Sequence, residues 1–305
     1  MSYLRYLARR FGFAVFSLYA VVSLAFLLGS AMIQKNLSGI LASARYNGAS
    51  PERIAEIRAA FRAERGLDVP LHERYVSWLV DVTTLQWGQS VSYDASVIAV
   101  LDGRVQTTLA YVLPGVAVGV LAGVLLGVLA ALTHDRLPDW LSRFGAYVAF
   151  GVPSFAVALV AIRIYPGLLT PQYIAVGAVA LSVVAGQLRF ARTAALERSG
   201  EPFVTFLKAK GTGGVRLARH VLRNAALPII SLSVTELVGV LVLQIYVLEL
   251  VLGIDGIAQV SLTAIRESDV ALVIWTTMVV VVVGITGNFL KDALYGLLDP
   301  RVTTQ

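Results

Sequence analysis

Few side chains in this 305-residue chain could do chemistry, and each absence excludes a mechanism. There are no cysteines, so thiolate nucleophiles, Cys-type metal sites and disulfides are excluded. His72, His134 and His220 lie far apart, and no HxxxH or HExxH pair sets two imidazoles on one helix face for a metal. No GxSxG elbow, no pair of intramembrane aspartates and no GxxxxGK followed by Ser or Thr occurs, so acyl-enzyme chemistry and a phosphate cradle for ATP are not expected. What remains is a set of polar groups in apolar surroundings. Glu236 interrupts the apolar run 225–248. An acid at membrane depth costs roughly 2.5–3.5 kcal/mol on insertion scales, so it faces a cavity or a partner. It would either line a path and meet a cationic group of a solute, or sit protonated or hydrogen-bonded at a subunit seam. Gln244 and Glu249 follow in the same stretch and complete a candidate solute path.

Two further patterns depend on helical spacing. Arg216, Arg219, His220 and Arg223 fall at i, i+3, i+4 and i+7 and form one basic stripe, with Val215, Ala218 and Leu222 opposite. Attraction to anionic headgroups, on the order of 1 kcal/mol per basic residue, explains part of that stripe. Gly115, Gly119, Gly123 and Gly127 recur every four residues, which puts four glycines on one face. Such a face lets two backbones approach closely in lipid; it suits a packing seam, or a surface that slides during transport.

The elements that carry these residues follow from composition. Hydrophobic residues make up 57% of the chain and charged residues 14%, against roughly 25% charged in a soluble domain. With a mean hydropathy of +0.75, the chain reads as a membrane protein. A spanning helix needs about 20 apolar residues. Six runs qualify: 11–34, 105–133, 144–162, 164–188 with its helix starting near Gln172 after Pro166 and Pro171, 225–248, and 270–290. The first is too long for a signal-peptide core of about 7–15 residues and reads as an uncleaved anchor.

The net charge of +6 is distributed by side rather than gathered for nucleic acid. With the N-terminus inside, the inner segments 1–10, 134–143, 189–224 and 291–305 hold most of the Lys and Arg. The short outer segments keep only Arg163 and Arg266, so both termini are placed inside. Residues 35–104 form a long outer segment. There Ser50-Pro51-Glu52 signals a helix start, Ile54, Ile57 and Phe61 share a face, and Gly66 ends the helix. A second helix follows Pro70, with Leu71, Tyr75, Trp78 and Leu79 on one side. Trp78, Trp87 and Tyr93 suit the headgroup level. The segment is either a cap on the spans or a docking surface for an external partner, and these are compatible.

Inside, 189–224 is the most patterned loop. Pro202 opens a short helix running to Lys210, Gly211 stands where a left-handed glycine would end it, and the basic helix follows toward Pro228 at the fifth span.

That loop resembles the cytoplasmic EAA loop of ABC importer permeases. The match runs through Phe203-Val204-Thr205-Phe206-Leu207-Lys208-Ala209-Lys210-Gly211 and then Arg219-His220-Val221-Leu222-Arg223-Asn224-Ala225-Ala226-Leu227-Pro228. The form resembles the dipeptide, oligopeptide and nickel branch. Gly66-Leu67-Asp68-Val69-Pro70, Arg74-Tyr75, Gly88-Gln89-Ser90, Gly151-Val152-Pro153-Ser154-Phe155 and Asp299-Pro300-Arg301 resemble the same branch in the same order. Beyond the fifth span the branch carries E-x-x-F-x-x-P-G-x-G. Here Glu249 and Gly256 remain, but Leu252, Asp255 and Ala258 replace the Phe, Pro and last Gly.

The resemblance implies an all-α polytopic membrane protein with about six transmembrane helices. It comprises a tail and first span at 1–34, an extracytoplasmic helical segment at 35–104, and a five-helix permease core at 105–305 with a cytoplasmic coupling loop at 198–224. It implies a non-enzymatic subunit of a prokaryotic cytoplasmic-membrane importer. Its partners would be a second homologous permease, two ATPase subunits that bind ATP and Mg, an external substrate-binding protein and the lipid bilayer, with no nucleic acid and with no cofactor or metal on this chain. Phe203, Lys208, Ala209, Lys210, Gly211, Arg216, Arg219, His220, Arg223, Asn224 and Pro228 are then the expected ATPase-coupling residues. The alternative is a self-sufficient secondary transporter or channel, which would show internal repeats and several intramembrane ionisable groups.

Overall fold

A computed structural model describes residues 3–164, 167 and 169–298, apart from the side chains at 227–228, 231–241, 243, 295 and 297–298. The elements in order are α1 (Tyr3–Tyr46), α2 (Pro51–Glu64), α3 (Leu71–Thr83), β1 (Gln89–Ser90), β2 (Ala95–Ser96), α4 (Val97–Leu132), α5 (Leu137–Gly151), α6 (Ser154–Ile164), α7 (Pro171–Ser199), α8 (Pro202–Ala209), α9 (Gly214–Leu252), α10 (Ile257–Arg266) and α11 (Val270–Leu298). Two compact units result. One takes Gly103–Val260 with the ends of the chain, through Gly12 and from Val283; the other takes Phe13–Asp102 and Ser261–Val282.

By length and composition, α1, α4, α7 and α11 can each cross a membrane. Two further candidates are bent pairs, α5 with α6 at 84° and the end of α9 with α10 at 85°. The expected third span, one helix over 144–162, is therefore broken. Pro153 has no N–H to continue the ladder, and it drives Val152 into extended backbone at φ −96°, ψ 118°. Several helices also overrun their apolar runs. α1 continues to Tyr46, α4 begins at Val97, and α9 carries both the basic stripe and the fifth span as one helix through position 228.

In the first unit α7 is central. Of its apolar stretch 61% is buried, against 11–39% in α1, α4 and α11. Tyr111 and Val112 of α4, Ala158 of α6, Ala175, Val179 and Val183 of α7, and Leu248 and Leu252 of α9 form one cluster. The four glycines of α4 all face α7. A Cβ on Gly115, Gly119, Gly123 or Gly127 would stand 2.6–2.8 Å from Val179, Val183, Gln187 or Leu188, and the α7 carbonyls lie 2.6–3.0 Å away. Only hydrogen atoms allow that approach, and it brings two backbones into dispersion contact where lipid supplies little hydrophobic drive.

In the second unit Phe61 of α2 is buried with Leu37 and Leu41 of α1 and with Leu67, and Ser50 caps α2 by accepting from the Arg53 N–H. Burying one side chain of that size away from water contributes about 1.5–3 kcal/mol. Trp78 and Trp87 share one aromatic partner. Each stacks on Trp275 of α11, with centroids 5.4 and 4.1 Å apart. The hairpin β1–β2, which the sequence did not suggest, is fastened to the start of α11 by Asp269. That carboxylate accepts from Ser90 Oγ (2.7 Å), the Ser92 N–H (3.1 Å) and the Leu272 N–H (3.1 Å). Burial alone would raise its pKa, but these donors outweigh burial and hold it below the usual carboxylate range. A depressed folded pKa contributes stability above the unfolded value that is lost as pH falls through the folded one. Asp269→Asn is thus expected to lower the melting temperature at pH 7, with the gap closing on acidification below about pH 4. A gap independent of pH would contradict this account.

Candidate functional site

The loop between α7 and α9 is built by local signals. Pro202 occupies the first turn of α8, and Arg198 pairs with Glu201 just before it. Gly211 has φ +72°, the Gly211 N–H bonds to Lys208 O (3.0 Å), and the Thr212 N–H bonds to Leu207 O (3.1 Å). This is a Schellman closure, in which a left-handed residue returns two otherwise orphaned carbonyls to hydrogen bonding. Eight residues are too few to hold a helix in water. The chain itself holds α8 by one face: Val204 is buried with Val128 and Ala131 of α4, Ala195 of α7, and Leu217 and Val221 of α9, and Phe203 and Leu207 pack beside them. Phe203 is thus part of the loop's core. The other face is exposed and carries Phe206, Lys208, Ala209 and Lys210, with the Lys210 ammonium 4.4 Å from the Phe206 ring centroid. Phe206 belongs to the matched loop but was not among the expected coupling residues; it lies between buried Val204 and half-buried Leu207 and points to the open face.

Arg216, Arg219, His220 and Arg223 are all exposed on the first turns of α9. The buried stripe of that segment is Leu217, Val221 and Ala225, not the one containing Val215, which is 88% exposed. Ala218 and Leu222 of the expected stripe are half-buried against the cluster around Val204, and only Val215, in the first turn of α9, falls outside it. Asn224 donates to His220 O (2.8 Å) and is spent on its own helix. The side chains of Pro228 and Glu236, and the whole of Asp299-Pro300-Arg301, lie outside the described residues.

A second constellation surrounds Glu249, which is fully buried. Oε1 accepts from Thr108 Oγ1 (2.6 Å) and Tyr111 OH (3.0 Å); Oε2 accepts from the N–H groups of Ala258 (2.8 Å) and Gln259 (3.2 Å). Thr108 Oγ1 also accepts from the Ile257 N–H (3.0 Å). Three N–H groups that begin α10 are thereby satisfied from outside their own helix, and a carboxylate there is favoured by the helix dipole. A Cβ on Gly256 would fall 2.1 Å from Glu249 Oε1, so the retained glycine leaves room for the retained acid. The left-handed Gly253 (φ +65°) makes the turn between α9 and α10. Glu249, one of the candidate path residues, is held by these four bonds as a clamp of the α9–α10 bend. Gln244 likewise joins helices, donating to Ser154 Oγ (2.5 Å) at the start of α6 and to Ala178 O (3.1 Å) in α7.

A third contact gave no sequence signal. Asp139 of α5, fully buried, receives both arms of Arg192 from α7, Nε at 2.7 Å and Nη2 at 2.9 Å. The Asp135 N–H adds a bond at 3.1 Å. This bidentate, charge-assisted pair joins α5 to α7.

Comparison with known proteins bears on these sites. Residues 123–304 match the family described as binding-protein-dependent transport system inner membrane component. The chain is 27% identical to the metal-staphylopine import system permease protein CntB of Staphylococcus aureus, over 94% of this chain and 95% of that protein. It is 27% identical to the oligopeptide transport system permease protein OppB of Haemophilus influenzae, over 83% and 86%. With the dipeptide transport system permease protein DppB of Bacillus subtilis it shares 26% over 77% and 80%. The matched region contains α8, the basic stripe, Glu249 and two of the four seam glycines.

Proposed function

Because the chain belongs to the family of binding-protein-dependent transport inner membrane components, of which it is a multi-pass, non-catalytic permease, we propose that it forms one half of the path of an ATP-driven importer for peptides or peptide-like chelates. The other half is a second, homologous permease. Two ATPase subunits supply the energy, and an external binding protein delivers the solute. The relatives' names motivate the solute class: two belong to dipeptide and oligopeptide transport systems and one to a metal-staphylopine import system. The family sets aside the alternative of a self-sufficient transporter.

The observation that carries the mechanism is α8. One face is held by α4, α7 and α9, while the other presents an aromatic ring and two lysines. A rigid, half-buried helix between two long helices transmits displacement: an ATPase groove that takes Phe206 pushes on α7 and α9 through Val204 and Leu207. Lys208 and Lys210, at the helix C-terminus, suit acidic groups around that groove. Gly211→Val places a β-branched residue at φ +72°, at a cost of about 1–2 kcal/mol. That is roughly a 5–30-fold shift against the closed loop. In proteoliposomes with the complete transporter, Gly211→Val should insert normally and lose uptake per ATP hydrolysed, and Phe206→Ala should do the same without altering thermal stability. Wild-type coupling in both would remove the assignment.

The orientation proposed is both termini in the cytoplasm and 35–104 outside. In this cysteine-free chain, at positions 93% and 88% exposed, Tyr46→Cys should react with an impermeant thiol reagent added to intact cells and Val215→Cys only in inverted vesicles. Labelling of both from the same side would overturn the topology, and the opposite pattern would reverse the orientation.

A further inference from the structure

We propose that Arg143 is a working residue of the transport cycle, which takes the Asp139 carboxylate over from Arg192 when α5 swings away from α7. Asp139 is fully buried in the first turn of α5 and lies between guanidinium groups of two different helices. Arg192 of α7 holds it in this structure, with Nε at 2.7 Å and Nη2 at 2.9 Å. Arg143 follows Asp139 by four residues on α5, the spacing that sets two side chains next to each other on one helix face. Arg143 Nε stands 3.6 Å from Asp139 Oδ1, beyond hydrogen-bond range. Among the described residues that Nε is shut off from solvent without an acceptor. A buried N–H without an acceptor is costly, and the carboxylate beside it is engaged elsewhere. Asp139 therefore has one partner in use across the helix interface and one in reserve on its own helix. The rest of the cluster accommodates the exchange. The Asp135 N–H, in the turn before α5, keeps its bond to Asp139 Oδ2 (3.1 Å). The exposed Asp135 carboxylate, paired with His134 at 2.9 Å, also attracts Arg192 and gives that guanidinium a solvated partner as it leaves Asp139.

The surroundings of the pair let it open. A cavity of about 240 Å3 lies beside it, between Ala146, Tyr147 and Phe150 of α5 and Ala185, Leu188 and Thr193 of α7. Along this stretch the ion pair carries the contact where apolar packing is incomplete. At its far end α5 stops at Val152 and Pro153, where the chain turns by 84° into α6. α6 is held separately, by Ser154 accepting from Gln244 of α9. Such a break is a hinge, about which α5 turns while α6 stays in place. Among the described residues the cluster under α8 draws on α4, α7 and α9, so displacement of α8 reaches α7 and leaves α5 behind. That drive rests on the reading of α8 given above; the exchange of partners does not. An ion pair that merely broke would strand a buried charge, which is strongly unfavourable. A second guanidinium on the same helix removes that penalty and brings the parted arrangement within reach.

The test uses the complete transporter in proteoliposomes. Gly145→Cys on α5 and Thr193→Cys on α7, both at exposed positions of this cysteine-free chain, carry spin labels, and a Cβ at Gly145 meets nothing within 4 Å. Electron–electron resonance then gives the α5–α7 distance without nucleotide and with ATP and vanadate. The distance should be longer in one of the two states. Arg143→Gln removes a side chain whose Nε makes no hydrogen bond in the closed arrangement, so thermal stability without nucleotide should hold. The parted arrangement loses one charge-assisted bond, so its population and the uptake rate should fall roughly 10–100-fold, with the labels kept at the closed distance. Arg143→Lys should restore most of both. Arg192→Gln should act in the opposite sense and lengthen the distance in every state. Arg136→Gln, which removes a neighbouring exposed charge, should change neither distance nor uptake. One distance with and without nucleotide, wild-type uptake in Arg143→Gln, or an equal loss in Arg136→Gln would each overturn the exchange. A distance that changes with nucleotide, in a transporter whose Gly211→Val and Phe206→Ala variants couple normally, would support it and remove only the drive assigned to α8.

Discussion

Gly123→Leu is expected to abolish assembly of the folded permease, and Gly123→Ala to lower its stability by about 1–3 kcal/mol, the usual cost of overpacking. The added Cβ would lie 2.6 Å from Gln187 Cβ, 2.8 Å from Val184 O and 3.1 Å from Leu188 N. None of these is the end of a flexible side chain, so relief requires α4 and α7 to separate, and separation forfeits contacts along the whole four-glycine seam. Gly145 on α5 and Gly177 on α7 provide the contrast, because a Cβ at either meets nothing within 4 Å. Alanine there should be neutral, or stabilising by up to about 1 kcal/mol through helix propensity. The measurement is membrane yield and thermal unfolding of the four alanine and leucine variants side by side. Equal behaviour of Gly123→Ala and Gly145→Ala would show that the seam does not depend on close approach.

Loss of the Glu249 carboxylate should be comparably severe. Glu249→Ala leaves two hydroxyl donors and two backbone N–H groups without their acceptor in a buried site. Each orphaned group costs about 1–3 kcal/mol. Water entering the vacated space recovers part of this, so a net loss of roughly 3 kcal/mol or more is expected. Glu249→Gln keeps one acceptor oxygen and turns an NH2 toward donors, which places it between the wild type and alanine. Tyr111→Phe removes one donor and should cost about 1 kcal/mol. Gly256→Ala should resemble Glu249→Ala, because the methyl displaces the acid rather than removing it. Since the clamp positions α10, uptake should fall with the folded fraction. Normal stability of Glu249→Ala would remove the clamp.

These variants mark a division in what could be read without the structure. Transfer of apolar side chains is local and additive along the chain, so the positions of the membrane runs and the charge asymmetry between segments were legible from composition alone. Helix ends are equally local. Ser50 before Pro51, and Gly211 after Lys210, declare themselves because a cap involves groups within a few residues. Amphipathic spacing also placed Arg216, Arg219, His220 and Arg223 on an exposed face of α9. The glycine ladder was visible as a close-packing face, but nothing in α4 says that the partner is α7.

Tertiary structure alone decided the partners of buried polar groups. Glu249 meets Thr108, 141 residues away in sequence, and Asp139 meets Arg192 at a separation of 53. A carboxylate's preference for donors is general, and many donors in the chain could satisfy it; only the packing of α4 against α9, or of α5 against α7, selects one. For that reason the donors that hold Glu249 were not legible in the sequence. Trp78 and Trp87 suit the headgroup level by type, and only the fold shows that both also stack on Trp275. Local free energies are set by the residue and its neighbours in the chain, whereas the partner of a non-directional or many-valued group is set by which helices the whole fold brings together.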